Sequence, residues 1–198
     1  MFVTFEGLDG SGKSTQAQLL AEALRGEGRD VVTTREPGGT ELGEQVRELL
    51  LHQGAVSPWA EAALFAAARA QLVEEVIVPA LERGADVICD RYLDSSLAYQ
   101  GIARDLGLDR VLELNLHAVR GVLPDRTFLL LVDPAESARR VGGDGDRIER
   151  EDDAFRARVD AAYRQLADVF PERIQTVDGT RPPREIAEEV LHELRQRS

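Results

Sequence analysis

This chain of 198 residues almost lacks lysine, which occurs once, at Lys13, while arginine and three histidines supply the other basic side chains. A bias of the source genome explains the general replacement, but it does not explain why one lysine stands at this position. Cysteine also occurs once, at Cys89, so no disulfide can form within the chain. No run approaches the roughly 20 apolar residues that a membrane span requires.

The start of the chain, MFVTFEG, lacks the basic and long apolar regions of a secretory signal peptide. Together with the single cysteine, this predicts a cytoplasmic protein. The net charge of −12 at pH 7 argues against nucleic acid and membrane surfaces as partners, because both are held by broad basic faces. A small phosphate ligand stays compatible with this charge, since a few arginines in one cleft are enough to bind it.

Apolar segments of two different periods alternate along the chain. Short runs rich in β-branched residues predict five buried strands, at residues 2–5, 31–34, 86–90, 127–132 and 173–177. Apolar residues at helical spacing lie between them, including a long helical stretch over residues 58–83 that Pro79 should bend or split. Strands that alternate with helices predict an α/β fold, with a parallel sheet of about five strands flanked by helices on both faces.

No linker, repeat or low-complexity tract divides the chain, so we expect one domain over residues 1–198. Residues 141–152 stand apart, because VGGDGDRIERED is rich in glycine and charge. This segment can bury little of itself, and we expect an exposed, mobile lid. Asp133 is followed by a proline and then by Glu136, a pattern typical of a helix N-cap rather than of a metal ligand.

A phosphate-binding pattern follows the first predicted strand. Residues 7–14, the phosphate loop, read GLDGSGKS and fit G-x-x-x-x-G-K-[ST], and an amphipathic helix begins at Lys13. Glycines let successive N–H groups point inward, and the helix N-terminus adds partial positive charge. We expect Lys13 to bind the β- and γ-phosphates of ATP and the Ser14 hydroxyl to coordinate Mg²⁺. The predicted ATP-binding residues are Gly7, Leu8, Asp9, Gly10, Ser11, Gly12, Lys13, Ser14 and Thr15.

Arginines at strand ends separate a small kinase from other phosphate-loop proteins. A GTPase would need an N-K-x-D motif, and the chain has no second lysine to supply it. ATPase motors are usually longer than 198 residues. Arg35 ends the second predicted strand, and Asp90 and Arg91 end the third, at the edge where ligands bind in open α/β sheets. The planar arginine fork suits phosphate oxygens, so the pattern favours a kinase with a second phosphate site.

Motifs along the whole chain resemble those of the thymidylate kinase family. They are FEGLDGSGKST, TREPGGT, LFAAARAQLVEEVI, VICDRYLDSSLAYQG and the DRIE of the lid, and the D-R-Y-x-x-S-S-x-A-Y-Q stretch is the most specific. The resemblance implies the P-loop NTPase fold of nucleotide kinases, usually as a homodimer. It also implies Mg²⁺-dependent transfer of the γ-phosphoryl group of ATP to dTMP, with both nucleotides as small-molecule partners.

The resemblance further implies a dTMP site. In the family, the residue at Phe65 stacks on thymine and the one at Arg69 bonds a base carbonyl, and four-residue spacing puts both on one helix face. Tyr99 crowds the 2′ position of the sugar, while Ser96 and Gln100 help to read the base. A plain core role stays an alternative for Phe65 and Tyr99. The implied dTMP-binding residues are Asp9, Arg35, Glu36, Pro37, Phe65, Arg69, Arg91, Ser95, Ser96, Tyr99 and Gln100.

Catalysis needs cations around the migrating phosphoryl group. One version of the family carries its catalytic arginine in the phosphate loop and the other in the lid. Gly10 stands beside Asp9 here, which favours the lid, with Arg147 as first candidate and Arg150 as second. The predicted catalytic residues are Lys13, Arg91, Arg147 and Asp9, and Arg35 is the expected anchor of the acceptor phosphate.

The expected ligands on the Mg²⁺ side are Ser14, Asp90 and Glu149, the carboxylates through water, because Mg²⁺ keeps much of its hydration. Two other functions stay open from the sequence. One is a kinase for a different nucleoside monophosphate, and the other is a non-catalytic sensor or adaptor that binds ATP.

Overall fold

The computed structural model describes residues 1–52, 54–142 and 145–196. In this part of the chain, five strands form one parallel sheet in the order β2-β3-β1-β4-β5. The strands are β1 Phe2–Glu6, β2 Val31–Arg35, β3 Asp86–Asp90, β4 Arg126–Leu131 and β5 Ile174–Asp178. Each bound lies within one residue of the predicted range, which confirms the α/β fold with a parallel sheet.

The register brings the functional strand ends to one edge of the sheet. Central β1 lies between β3 and β4, with Phe5 opposite Asp90 and Glu6 opposite Leu129. Arg35 at the end of β2 is also opposite Asp90. Because all strands run in the same direction, their carboxyl ends and the loops that follow them share this edge.

Helices cover both faces of the sheet. Val3 and Phe5 pack under α1 (Lys13–Gly26) and α9 (Pro183–Gln196) on one face, while Phe2 faces the opposite core. This alternation follows from the two-residue period of a strand. The core on the opposite face includes residues of five other helices, and the second and third helices share a small separate cluster. The helices are α1 Lys13–Gly26, α2 Glu41–His52, α3 Pro58–Leu72, α4 Val78–Glu82, α5 Leu93–Ser96, α6 Leu108–Val119, α7 Pro134–Val141, α8 Asp153–Val169 and α9 Pro183–Gln196.

A π-helical turn interrupts the long helix near Pro79. The turn spans Val73–Ile77 and joins α3 to α4, and the N–H of Val78 bonds the carbonyl of Val73, five residues back. Proline has no N–H for the regular α-helical ladder, so a break at this point was expected. A second π-helical turn, Leu97–Ala103, continues α5.

The N-cap prediction at Asp133 is confirmed, because its carboxylate accepts a hydrogen bond from Ala135 N at 2.8 Å at the start of α7. The predicted lid, 141–152, is described except for its residues 143 and 144. Its residues 145–149 are half-buried, so the expectation of an exposed segment is wrong there. The reason is long-range bonding, since Arg147 donates to the Leu50 carbonyl and to Glu61.

Within the described ranges, no helix has the length and apolar character needed to cross a membrane.

Candidate active site

The phosphate loop curls at glycines whose backbone no other residue adopts easily. Gly7, Gly10 and Gly12 have φ values of 136°, 74° and 100°. A Cβ atom at Gly7 would lie 2.5 Å from the carbonyl oxygen of Leu130, so this position also needs glycine for space. The loop therefore lies directly against the end of β4 and leads into the N-terminus of α1.

Lys13 is buried at the start of α1. Its Nζ donates to the carbonyl oxygen of Leu8 at 2.8 Å and lies 4.0 Å from Asp9 Oδ1. Burial and then the positive charge of Arg91 lower the pKa of Lys13 from 10.5 to about 8. The ammonium is thus held as a point charge inside the loop, as the sequence pattern predicts.

Ser14 and Asp90 form a pair of oxygen ligands next to the loop. Ser14 Oγ donates to Asp90 Oδ2, and both side chains reach the sheet edge. Glu149 lies elsewhere, since its Oε2 accepts from Asp146 N at 2.8 Å within the lid. Within the described residues, no group of three or more His, Cys, Asp or Glu side chains could hold a metal ion. Two hard oxygen ligands still fit Mg²⁺, which takes one or two protein oxygens and fills its other positions with water and phosphate.

Arg91 joins the phosphate loop to the elements beside it. Its guanidinium donates to Asp9 Oδ1 at 2.5 Å, to the Gly7 carbonyl at 3.0 Å and to Ser95 Oγ at 3.1 Å. The backbone of Arg91 has a positive φ of 70°, which turns the chain sharply after β3. The side chain also packs over the ring of Tyr99, with the guanidinium carbon 5.5 Å from the ring centroid.

Asp9 stays ionised beside Arg91. Burial raises its pKa, but the charges of Arg91 and Lys13 outweigh burial and lower the pKa to about 2. The Tyr99 hydroxyl lies 3.4 Å from Asp9 Oδ2, and Ser137 Oγ on α7 donates to the Asp9 carbonyl at 2.6 Å. The carboxylate thus has the cationic partner that a buried charge requires.

A cavity opens on the other side of Asp9 and Arg91, and we call it the side cavity. It encloses about 110 Å³ and opens to the solvent. The predicted dTMP-binding residues that line it are Asp9, Glu36, Pro37, Phe65, Arg91, Ser95, Ser96, Tyr99 and Gln100. The structure therefore brings together most of the set that the family resemblance implies, from four separate segments of the chain.

Arg35 and Arg69 are absent from this lining. Arg35 is exposed and pairs with Glu44 at 3.2 Å, in a separate depression beside Ser14 and Asp90. Its role as anchor of the acceptor phosphate stays a prediction that requires the side chain to leave Glu44.

The structure differs from expectation at Arg69, which is buried behind the cavity wall. Its Nε donates to Glu36 Oε2 at 2.7 Å, and its Nη2 lies 2.5 Å from the same oxygen. Its remaining N–H groups bond Ser96 Oγ, Asn115 Oδ1 and the Tyr92 carbonyl. Four donors are hydrogen-bonded inside the protein and Nη2 also lies in the ion pair with Glu36, so in this conformation the guanidinium holds Glu36 and Ser96 in place and is not directed at a base carbonyl.

The lid arginines also lie differently from expectation. Arg147 donates to the Leu50 carbonyl at 2.8 Å and to Glu61 Oε2 at 2.5 Å, so its catalytic role stays a prediction that requires movement. Arg140 on α7 lies against the phosphate loop instead, 3.4 Å from the Gly10 carbonyl and 3.2 Å from the Gly179 carbonyl.

Sequence reasoning missed Glu6, the last residue of β1. This fully buried carboxylate accepts from Tyr92 N at 2.8 Å, Ser95 Oγ at 2.6 Å and Tyr163 OH at 2.8 Å. Burial and the neighbouring Asp94 raise the pKa of Glu6. An acid inside a buried strand just before the glycine loop was the available signal, whereas nothing in the spacing pointed to Tyr163 on α8.

Arg47 is a second missed residue. It lies on the polar side of α2, lines the side cavity and donates to the Pro37 carbonyl at 2.9 Å. In the sequence it is one arginine among many, and only the packing of α2 against the loop after β2 brings it to the cavity.

A phosphate loop that shares an arginine with a second, polar cavity at the same sheet edge is the arrangement of a P-loop nucleoside monophosphate kinase. Comparison with known proteins is more specific, because the family model described as thymidylate kinase matches residues 5–190. The chain belongs to the thymidylate kinase family. This membership supports the thymidylate kinase interpretation over a kinase of different specificity and over a non-catalytic ATP-binding protein.

Individual relatives agree with the family match. The chain is 50% identical over 197 residues to a thymidylate kinase of an Exiguobacterium species, covering 96% of this chain and 92% of the relative. It is 53% identical over 194 residues to a thymidylate kinase of Leifsonia xyli, with the same coverage of both. The crystal structure of thymidylate kinase from Ehrlichia chaffeensis superposes with a TM-score of 0.81 at 36% identity and 98% coverage of both chains.

Proposed function

We propose that this chain transfers the γ-phosphoryl group of ATP to dTMP, giving ADP and dTDP, with ATP in the phosphate loop and dTMP in the side cavity. The observation that carries this assignment is the position of Arg91, which contacts Gly7 and Asp9 of the loop and Ser95 of the cavity wall. Two phosphates on either side of this guanidinium would lie close enough for direct transfer.

On the donor side, the loop amides and the ammonium of Lys13 hold the phosphates of ATP. The proposed contacts are residues 7–15, with Lys13 on the β- and γ-oxygens, because the amides and the helix N-terminus present positive charge there. Lys13, Arg91 and Arg140 would surround the migrating group with positive charge. This is the main contribution that a protein makes to phosphoryl transfer.

On the acceptor side, the cavity offers a pattern of polar groups that fits a thymine-type base. Arg69 donates to Ser96 Oγ at 3.1 Å, and a guanidinium cannot accept, so Ser96 keeps its hydroxyl hydrogen for a base carbonyl. We assign Phe65, half-buried in the cavity wall, to stacking on the base. Tyr99 fills the space beside Asp9, where a ribose 2′-hydroxyl would need room.

Glu36 supplies a site for a sugar hydroxyl. One of its oxygens is taken by Arg69, and the other, Oε1, is buried without a hydrogen-bond partner among the described residues. Burial raises the pKa of Glu36 against the charge of Arg69. Because an unpaired buried oxygen is costly, a ligand hydroxyl that donates to it would stabilise the complex.

For Mg²⁺, the pair of Ser14 and Asp90 is the proposed protein contribution, and Glu149 would join only if the lid moved. The ion, when bound with ATP, supplies charge neutralisation at the β- and γ-phosphates. Ser14 and Asp90 need no rearrangement to face this position, since they already meet at the end of the loop.

We also propose that the chain acts as one kinase domain, with residues 141–152 as its lid, in a homodimer in the cytoplasm. Exposed leucines support the dimer: Leu42 and Leu49 on α2 are 42% and 39% exposed, and Leu116 on α6 is 40% exposed. Both helices pack against α3, and we infer that their apolar side chains contribute to one dimer surface. Sedimentation velocity would show a particle of two chains.

The reaction is tested by ADP release from ATP and Mg²⁺ with one nucleoside monophosphate at a time. We expect strong release with dTMP and little with dUMP, UMP or dGMP. Preferred turnover of another monophosphate would contradict the base assignment, and no turnover despite ATP binding would contradict the kinase assignment.

A further inference from the structure

Glu61 is a buried carboxylate for which neither the loop nor the side cavity provides a role. It lies on α3, is 1% exposed and is absent from the cavity lining. Three side chains donate to it: Gln100 Nε2 at 2.8 Å, Arg104 Nε at 2.8 Å and Arg147 Nη2 at 2.5 Å. Glu61 thus connects the cavity wall, the π-helical turn and the lid.

Its surroundings keep Glu61 ionised. Burial raises its pKa, but the hydrogen bonds from Arg104, Gln100 and Arg147 together outweigh burial and lower it. An ionised carboxylate accepts hydrogen bonds and donates none. Any amide that meets Glu61 must therefore turn its NH₂ group toward it.

This requirement fixes the amide of Gln100. Its Nε2 points at Glu61, so its Oε1 is directed away from Glu61, and Gln100 belongs to the lining of the side cavity. In the ranges 1–52, 54–142 and 145–196, no protein group donates to this oxygen. The cavity therefore presents a fixed acceptor to its ligand.

We propose that Glu61 is a positioning residue for base selection: it holds the Gln100 carbonyl toward the side cavity, where that carbonyl accepts from the N3–H of a thymine-type base. The inference rests on the proposed function, since it assigns the base to this cavity. A cytosine-type base carries an acceptor at N3 and would place two acceptors face to face. A site built to accept a hydrogen rejects a ligand that lacks it.

The test compares Glu61→Gln with wild type in equilibrium binding of dTMP and of 5-methyl-dCMP, measured by calorimetry at neutral pH. These ligands share the methyl group, sugar and phosphate, and differ along the edge that Gln100 would read. The new amide at position 61 can accept or donate, so Gln100 becomes free to turn. We expect the affinity ratio of dTMP to 5-methyl-dCMP to fall about tenfold, and an unchanged ratio would overturn the proposal.

Asp86→Asn is the matched control. Asp86 is also a buried, arginine-paired carboxylate, with Arg29 Nη2 at 2.7 Å, but it lies at the amino end of β3, the far end of the sheet from the cavity. This variant should lose stability and keep the ratio. An equal fall of the ratio in both variants would show general loosening and would overturn the specific role of Glu61.

Two further variants secure the result. Gln100→Met should lower the ratio, and adding Glu61→Gln to it should lower the ratio no further, because Glu61 acts through Gln100. Additive losses would contradict this.

If Glu61→Gln does not fold, Glu61→Asp is the second variant. It keeps the charge but withdraws it from Gln100, and it should lower the ratio as well. An unchanged ratio in the aspartate variant would overturn the proposal. Binding does not depend on phosphoryl transfer, so absence of dTMP turnover would contradict the proposed function and leave the Glu61 result standing.

Discussion

The phosphate loop and the side cavity are adjacent but differ in how the chain builds them. The loop is eight consecutive residues that bond one another, with Lys13 Nζ and Ser11 N both donating to the Leu8 carbonyl. The cavity wall comes from residues as distant in sequence as Asp9 and Glu149. A contiguous site can be read from a motif, whereas an assembled one depends on which side chains the packing turns inward.

The two regions also differ in how their charges are satisfied. Lys13 uses one of its three N–H donors on the Leu8 carbonyl, whereas the arginines behind the cavity wall bond several protein groups each. Arg69 bonds Glu36, Ser96, Asn115 and Tyr92, and Arg104 and Arg147 share Glu61. We infer that the loop supplies charge to the ligand directly, and that Arg69, Arg104 and Arg147 mainly set the orientation of neutral groups.

The largest expected effect on activity is that of replacing Lys13, which belongs to the phosphate loop and not to the side cavity. Lys13→Met should lower kcat about 10³-fold, because the charge inside the loop acts on the migrating phosphoryl group. The dTMP affinity, measured by calorimetry, should change little, since Lys13 does not line the side cavity. A kcat within tenfold of wild type would break the distinction between the two regions.

A smaller effect distinguishes the lid arginines. Arg140→Ala should lower kcat about 50-fold, because Arg140 already lies beside Gly10 of the loop. Arg147→Ala should lower kcat less and raise the KM for dTMP several-fold. Arg147 is one of the three side chains that hold Glu61, so its loss would loosen Glu61 and the Gln100 amide that Glu61 orients. Steady-state kinetics of both variants show which of the two arginines acts on kcat. The reverse pattern would return the catalytic role to Arg147 and require the lid to move.

Phe65→Ala tests the cavity wall alone. We expect the KM for dTMP to rise about tenfold with kcat nearly unchanged, since stacking is worth about 1 kcal/mol beyond buried area. Trp59→Ala on the same helix is the control, because Trp59 is 45% exposed and outside the cavity lining. Equal KM values for Phe65→Ala and wild type would favour the core role for Phe65.

The smallest effect is a pH dependence of the loop. The pKa of Lys13 is lowered to about 8, so kcat/KM for ATP should be halved near pH 8 and fall further above it as the ammonium loses its proton. Stability moves in the opposite direction for this group. Between about pH 8 and 10.5 the unfolded chain binds the proton more tightly, so neutral Lys13 favours the folded state as pH rises.

Paired measurements of activity and of thermal unfolding therefore separate this titration from alkaline unfolding. In Lys13→Arg the decline near pH 8 should vanish from whatever activity remains, since arginine keeps its proton. A decline that persists in this variant would assign the titration to another group.

Much of the fold could be predicted because local rules govern it. Five β-branched runs gave five parallel strands within one residue, and the N-cap at Asp133 followed from its neighbours. The half-buried lid could not be predicted, because the bonds of Arg147 to Leu50 and Glu61 join segments that are far apart in sequence. Composition alone made that segment look exposed.

The sequence by itself determined the phosphate loop, where we propose that ATP binds, since a glycine loop, a helix N-terminus and the single lysine are consecutive residues with one consistent geometry. The family motifs also identified most of the cavity residues. Only the tertiary structure decided which arginines have free donors. Arg69 faces inward and Arg140 lies on the loop, because a guanidinium bonds whichever acceptors the packed elements bring within reach, and those acceptors come from remote parts of the chain.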